Sequence, residues 1–390
     1  MPNYKILTVT PFFPPDVGGI TNHVLNLNIR LAKLGNNITI VAPKRLHHKI
    51  SPHTDFKEVF RINSTYLPGW PYQTLRSVSI PIDFGIKIES IIQKGDFDFI
   101  HVHGHHYPIS WLAINFAHKY SIPSILTLHG MYALNPNVLG GRSRIENFFN
   151  RYLFTKILSK TTAVIGLTAQ ITSYAKQFGK ESIKYFTIPN GVDTAIYIEN
   201  MNRKNEFRKK YQINKDRIVI LFCGRFEQVK GIIEFANAVK NIVRNKGVEV
   251  IIVGGGSQES FVRSILRDTD GIHLLSWQPA ENIHELYIVS DIFVIPSKFE
   301  ALPLTVIEAM NAGLHIVYTP VGGIPDILSE YSSKTVLKVV SSDEIESVLN
   351  ILISHFPIEN TVDDLTYAQK FDWNNVVVNT MIAYAECADV

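Results

Sequence analysis

A chain of 390 residues is longer than one ordinary domain and suits two of about 100–200 residues each. Apolar residues make up 46% and charged residues only 19%, which excludes wholesale disorder and leaves material for two cores. Two cysteines, Cys223 and Cys387, exclude a disulfide framework and a thiolate metal site, and point to a reducing compartment.

Net charge is +3, but residues 1–195 hold 20 Lys/Arg against 10 Asp/Glu, while the remainder holds 18 against 25. A basic first half suits an anionic partner such as a membrane or a lipid phosphate, and no recognition motif for nucleic acid accompanies it. The N-terminus runs directly into a strand-like segment, and no apolar run approaches the ~18 residues of a membrane span. The expectation is a cytoplasmic protein, in solution or at the cytoplasmic face of a membrane.

Strand and helix patterns alternate along the chain, as parallel sheets with helical crossovers require. The first half predicts strands over 6–10, 38–42, 97–102, 124–128, 163–167 and 185–188, with helical patterns at 21–34 and 169–178 between them. After the turn signal Pro189-Asn190-Gly191, a second series predicts strands over 218–223, 250–253, 272–275, 292–295 and 315–318. The fold class expected is α/β: two domains with parallel sheets, 1–195 and 196–372, facing a cleft that is a natural ligand site. A last helix, 373–390, is expected to rejoin the first domain.

Four constellations carry chemistry. The string from Glu300 to Gly313 follows strand 292–295, so it stands at the carboxyl end of a strand, where open α/β sheets bind ligands. Pro303 suits the first turn of a helix, and the N–H groups of Leu304, Thr305 and Val306 are then free to cradle a phosphate. One of the carboxylates Glu300 and Glu308 would reach a sugar and the other a pair of ribose hydroxyls. The plainer alternative is a capped helix with two surface glutamates. Next, Gly224, Arg225, Lys230 and Gly231 follow strand 218–223, with two cations suited to a diphosphate. Gly18-Gly19, after the first strand, suits a loop closing over phosphate or a plain tight turn. Last, ten of the 14 histidines lie in the first half, with His101, His103, His105 and His106 at one strand end and His129 after the next. No His-Glu-x-x-His and no cysteine accompanies them, so polar contacts to sugar or acceptor are expected rather than a metal, with His103 and Tyr132 towards the acceptor. Residues 141–160 also interleave cations with apolar side chains, as a basic amphipathic helix on an anionic membrane would.

Taken together these motifs resemble the family-4 retaining glycosyltransferases of the GT-B fold, built on two Rossmann-like domains. The resemblance spans most of the chain and is strongest over 218–327. It implies that Glu300 contacts the donor sugar and Glu308 the ribose. Arg225 and Lys230 would hold the diphosphate with Gly19 and the amides near Leu304 and Thr305, and His129 would stand beside the transferred sugar. Gly254-Gly255-Gly256 resembles the turn that lets the nucleotide approach, Gly322-Gly323 a second glycine-rich loop, and Phe371-Asp372-Trp373 the start of the returning helix. Ala301, Leu302 and Asn311 depart from the usual family residues, so Ala301, Leu302 and Pro303 line a donor pocket of unusual shape. The implied reaction moves a hexose or N-acetylhexosamine from a nucleotide sugar, a UDP-sugar before GDP-mannose, to a glycan or lipid-linked acceptor. It needs no metal and no other cofactor, because two cations stand where an Asp-x-Asp would hold one. An epimerase of the same fold, or a silent binding protein, is the alternative.

Overall fold

In a computed structural model the described residues are 2–16, 18–44, 56–66, 79–83, 85–130, 149–244, 247–357 and 362–388. The chain divides into two compact units: 1–190 with 373–390, and 191–372.

The first unit is built on β1 (Lys5–Val9), β2 (Asn37–Pro43), β3 (Glu58–Ile62), β6 (Phe99–His103), β7 (Ser124–Leu128), β8 (Ala163–Gly166) and β9 (Lys184–Thr187). They form one sheet in the order β3-β2-β1-β6-β7-β8-β9, every neighbour pair parallel. A short antiparallel pair, β4 (Ser64–Tyr66) and β5 (Ser79–Pro81), stands apart. The central strands β6 and β7 are buried at every position, as strands covered on both faces are, with His101, His103, Ser124 and Thr127 among the buried side chains. Helix Gly19–Lys33 packs Val24, Leu27 and Leu31 into this core. The final helix, Trp373–Ala388, adds Trp373, Val377 and Tyr384 to the same core.

The second unit has β10 (Ile218–Arg225), β11 (Val248–Gly255), β12 (Ile272–Leu275), β13 (Ile292–Ile295), β14 (His315–Tyr318) and β15 (Lys334–Val336). Their order, β12-β11-β10-β13-β14-β15, is all parallel. Counted within the unit this is 3-2-1-4-5-6, so the winding reverses between β10 and β13. The first sheet reverses between β1 and β6. Crossovers that diverge to opposite faces leave a crevice at the carboxyl ends of those strands, and ligands of open α/β sheets bind there.

Strand β3 and the edge strand β15 are not anticipated from the sequence. Glu58-Val59-Phe60-Arg61-Ile62 and Lys334-Thr335-Val336 are short, mixed in polarity and mostly half-exposed, so neither presents the apolar run of an interior strand.

Candidate active site

Strands β10 and β13 are neighbours in the second sheet, so the loops leaving them emerge side by side although about 70 residues separate them. Gly231 knits the two loops together. Its φ is +66°, and a Cβ there would lie 2.2 Å from the Pro296 carbonyl oxygen, so only glycine permits the approach. The Lys298 N–H donates to the Val229 carbonyl at 2.8 Å across the same seam. As a result the Lys230 ammonium sits 2.6 Å from Glu300 Oε1, and the Ser297 hydroxyl donates to that oxygen at 2.7 Å. Glu300 is only 7% exposed. Its main chain is held from the other side by Gly322 (φ +57°), where a Cβ would stand 1.9 Å from the Glu300 carbonyl oxygen. The adjacent Gly323 N–H donates to the Ala301 carbonyl at 2.7 Å. Two residues assigned by sequence to different parts of a donor are thus ion-paired with each other, and Ser297 is a partner that sequence reading passed over.

Pro303 occupies the capping position in extended backbone (φ −73°, ψ 120°), one residue before the helix Leu304–Asn311 rather than in its first turn. Its carbonyl accepts the Val306 N–H at 3.2 Å. The expected cradle therefore contracts from three N–H groups to two, Leu304 and Thr305, for which the described residues offer no acceptor. Leu302 is buried and Ala301 half-buried beside it. Asn311, a departure from the usual small residue, is buried and donates to the Ile307 carbonyl at 2.9 Å and to the Ala368 carbonyl at 3.5 Å, tying this helix to Val362–Ala368.

Arg225 ends β10 and is exposed, and its guanidinium has no hydrogen-bond or ion-pair partner among the described residues. A lone guanidinium at a strand end is available to an anion. Glu308 is half-buried on the helix Leu304–Asn311, and desolvation holds its carboxyl above the usual range while the nearby Tyr287 hydroxyl works the other way. The Cys223 thiol, in the same apolar surroundings, is pushed up to about 12 by burial and by the Glu308 charge. Gly254 packs its backbone directly against the Gly224 carbonyl, and Gly256 against that of Phe226. Those two glycines join the ends of β10 and β11 to each other, whereas a Cβ on Gly224 would have nothing nearer than 3.9 Å. Just past β12, Trp277 is 56% exposed, its indole nitrogen 3.1 Å from where a Gly255 Cβ would stand. A large apolar ring left in solvent beside a strand-end turn is the second residue that the sequence pattern did not single out.

In the first unit, Gly18 caps and Gly19 begins the helix Gly19–Lys33, and a Cβ on either would meet nothing within 4 Å. The protein's own packing does not demand glycine there. The ends of β6 and β7 bring His103 Nδ1 and His129 Nε2 to 3.0 Å. Burial holds His103 and His129 well below the ordinary imidazole value, and His23 at about 4, so all are neutral near pH 7. His101 is structural: its nitrogens pair with the Tyr384 hydroxyl and Thr127 Oγ1, both at 2.7 Å. Tyr132 and residues 141–148 lie outside the described residues. The rest of the expected amphipathic helix is a π-helical stretch, Phe149–Phe154, followed by Thr155–Leu158. Phe154, Ile157 and Leu158 are buried, so these apolar side chains serve the unit's own core and are not available to a membrane. No described helix is long and apolar enough to cross one.

Two family models match the chain in succession: "Glycosyltransferase Family 4" over residues 17–196 and "Glycosyl transferases group 1" over residues 203–363. The chain belongs to the family-4, group 1 glycosyltransferases. It is 22% identical over 98% of its length to a component of the phosphatidylinositol N-acetylglucosaminyltransferase of Arabidopsis thaliana, covering 82% of that protein. It is 24% identical over 80% of its length to the N-acetyl-alpha-D-glucosaminyl L-malate synthase of Bacillus anthracis, covering 79% of that one. Among solved structures, Anabaena HepE in complex with UDP superposes with a TM-score of 0.71 at 16% identity, over 98% of this chain and 100% of that one. The fold of this glycosyltransferase is GT-B, with two Rossmann-like sheets.

Proposed function

We propose that this glycosyltransferase takes a hexose or N-acetylhexosamine from a UDP-sugar and transfers it with retention, without a metal, to a glycan or lipid-linked acceptor. One observation carries the reading. At the winding reversal of the second sheet, the unpartnered Arg225 guanidinium, the Lys230 ammonium and the free N–H groups of Leu304 and Thr305 come from adjacent strand ends, with the buried Glu300 among them. Such a set is suited to a diphosphate whose negative charge grows as it departs.

In the proposed reaction the acceptor oxygen bonds to the anomeric carbon on the face from which the diphosphate leaves. The anomeric carbon–phosphate oxygen bond breaks, and the acceptor proton passes to a diphosphate oxygen. Lys230 shifts from Glu300 towards the diphosphate, freeing the Glu300 carboxylate for sugar hydroxyls. Glu308 accepts from the ribose hydroxyls, and the base stacks on Trp277. His129 is assigned to the transferred sugar and His103 to the acceptor. Gly18 and Gly19 leave open space for phosphate oxygens. UDP as nucleotide and N-acetylglucosamine as sugar are favoured by the names of the relatives above, and two cations in place of an Asp-x-Asp favour metal independence.

The test is a thermal-shift series with UDP, GDP, ADP and their sugars in chelator, followed by turnover of Arg225→Ala. A nucleotide at a hundredfold excess over its dissociation constant stabilises by about 2.7 kcal/mol. UDP is expected to shift the wild type, and Arg225→Ala to lose roughly 10²–10³ in turnover with its melting temperature unchanged. Wild-type turnover in that variant overturns the reading.

A further inference from the structure

Three histidines from three separate elements of the first unit converge: His23 on helix Gly19–Lys33, His103 at the end of β6, and His129 just past β7. One ring nitrogen of each lies within 4.8 Å of the others. The His23 ring centre is 5.0 Å from that of His129 and 5.7 Å from that of His103. His23 and His103 are buried and His129 half-buried.

The polar accounting of this group is incomplete. His103 Nε2 is buried with no hydrogen-bond partner among the described residues, and His23 shares a hydrogen bond with the neutral Asn190 side chain. Buried polar atoms are nearly always satisfied, and the orphan on His103 marks this ring cluster as less fully paired than its neighbour. The contrast lies one ring away. His101, 4.3 Å from His103 between centres, has both nitrogens satisfied, as a purely structural histidine should. Among the described residues no carboxylate enters the electrostatics of the three, only neighbouring imidazoles and the Asn190 amide, and neutral imidazole is the form that ligates metal.

We propose that His23, His103 and His129 form a three-histidine site for a divalent cation of the zinc type. Zinc–nitrogen bonds of 2.0–2.1 Å place tetrahedral ligand nitrogens roughly 3.4 Å apart. His103 Nδ1 and His129 Nε2, now at 3.0 Å, need to part only slightly, and one ring nitrogen of His23 already lies within 4.8 Å of one nitrogen of each. Three protein ligands leave the fourth position to water. The described residues place no carboxylate behind these rings, and outer partners of that kind are worth 10–100-fold in affinity, so the site is of a reversible grade. Occupancy ties up the imidazole of His129 and so inhibits transfer. This last clause rests on the proposed function; the binding itself does not.

The experiment uses the full chain, freed of metal by chelator, and titrates Co²⁺ with detection by visible absorption. One equivalent with the intense spectrum of a tetrahedral nitrogen site, displaced by Zn²⁺, is expected. His23→Gln and, separately, His103→Gln should each weaken it at least tenfold while the circular dichroism is retained. Binding that survives both substitutions, or a weak octahedral spectrum only, overturns the site. Zn²⁺ inhibition of transfer, relieved in His23→Gln, supports the inhibitory clause. Stoichiometric binding without inhibition refutes that clause and the placement of His129 beside the sugar, while leaving the site standing.

Discussion

Gly322→Ala isolates the contact that holds Glu300 in place. The new Cβ would stand 1.9 Å from the Glu300 carbonyl oxygen and 2.6 Å from its carbon, both backbone atoms that no side-chain rotation can remove. Ordinary non-bonded contact begins near 3.5 Å, so the two loops must part by roughly 1.5 Å. Residue 322 also keeps a left-handed backbone, which costs about 1–2 kcal/mol for a non-glycine residue, and the Gly323–Ala301 hydrogen bond is strained for about 1 kcal/mol more. The stability loss is therefore about 2–3 kcal/mol. A shift of about 1 Å in a catalytic group costs on the order of 10² in rate, so donor turnover should fall by at least that much. Gly271→Ala is the control. It has a similar left-handed backbone (φ +80°), nothing closer than 3.6 Å, and a place at the start of β12, away from the carboxyl ends of the strands. Urea unfolding and UDP-sugar turnover, measured on both, separate strain from displacement. Equal loss of turnover in the two variants, or normal turnover in Gly322→Ala, refutes the reasoning.

Trp277→Ala should weaken UDP binding about tenfold, since base–aromatic stacking is worth about 1–3 kcal/mol, with the fold intact; an unchanged dissociation constant removes Trp277 from the donor site. Burial raises the Glu308 carboxyl above its unfolded value near 4.5, so the folded protein keeps a proton that the unfolded chain has released. The associated stability is present below the unfolded value and lost as pH rises through the folded one. Urea midpoints of wild type and Glu308→Gln should therefore diverge as pH climbs above 4.5, in favour of the variant, and parallel curves would contradict the burial argument.

Much of this was legible in one dimension. Strands 124–128, 272–275, 292–295 and 315–318 stand where their apolar runs place them, and the Glu300–Gly313 string does follow the end of β13 directly. What was hidden depends on folding in space. The Lys230–Glu300 pair joins residues 70 apart through sheet order, which periodicity does not reveal. Gly254 reads as a ligand-approach glycine, and only the neighbouring strand shows that its bare backbone is taken up by Gly224. Trp277 carries no motif, and its exposure is a property of the folded chain. His23 lies in an ordinary helical pattern, and the helix's rotation decides that it faces His129 rather than solvent.

The final helix settles the order in which the chain can mature. The second unit is one continuous segment whose ends meet: the Val192 N–H donates to the Phe371 carbonyl at 2.9 Å, and Thr194 Oγ1 to Asp372 at 2.7 Å. The first unit is split, and it lacks Trp373, Val377 and Tyr384 of its core, along with the hydroxyl that satisfies His101, until Trp373–Ala388 has been made. On the ribosome domains generally fold as units, the N-terminal one first. Here the half synthesised first cannot complete its core until Trp373–Ala388 has been made.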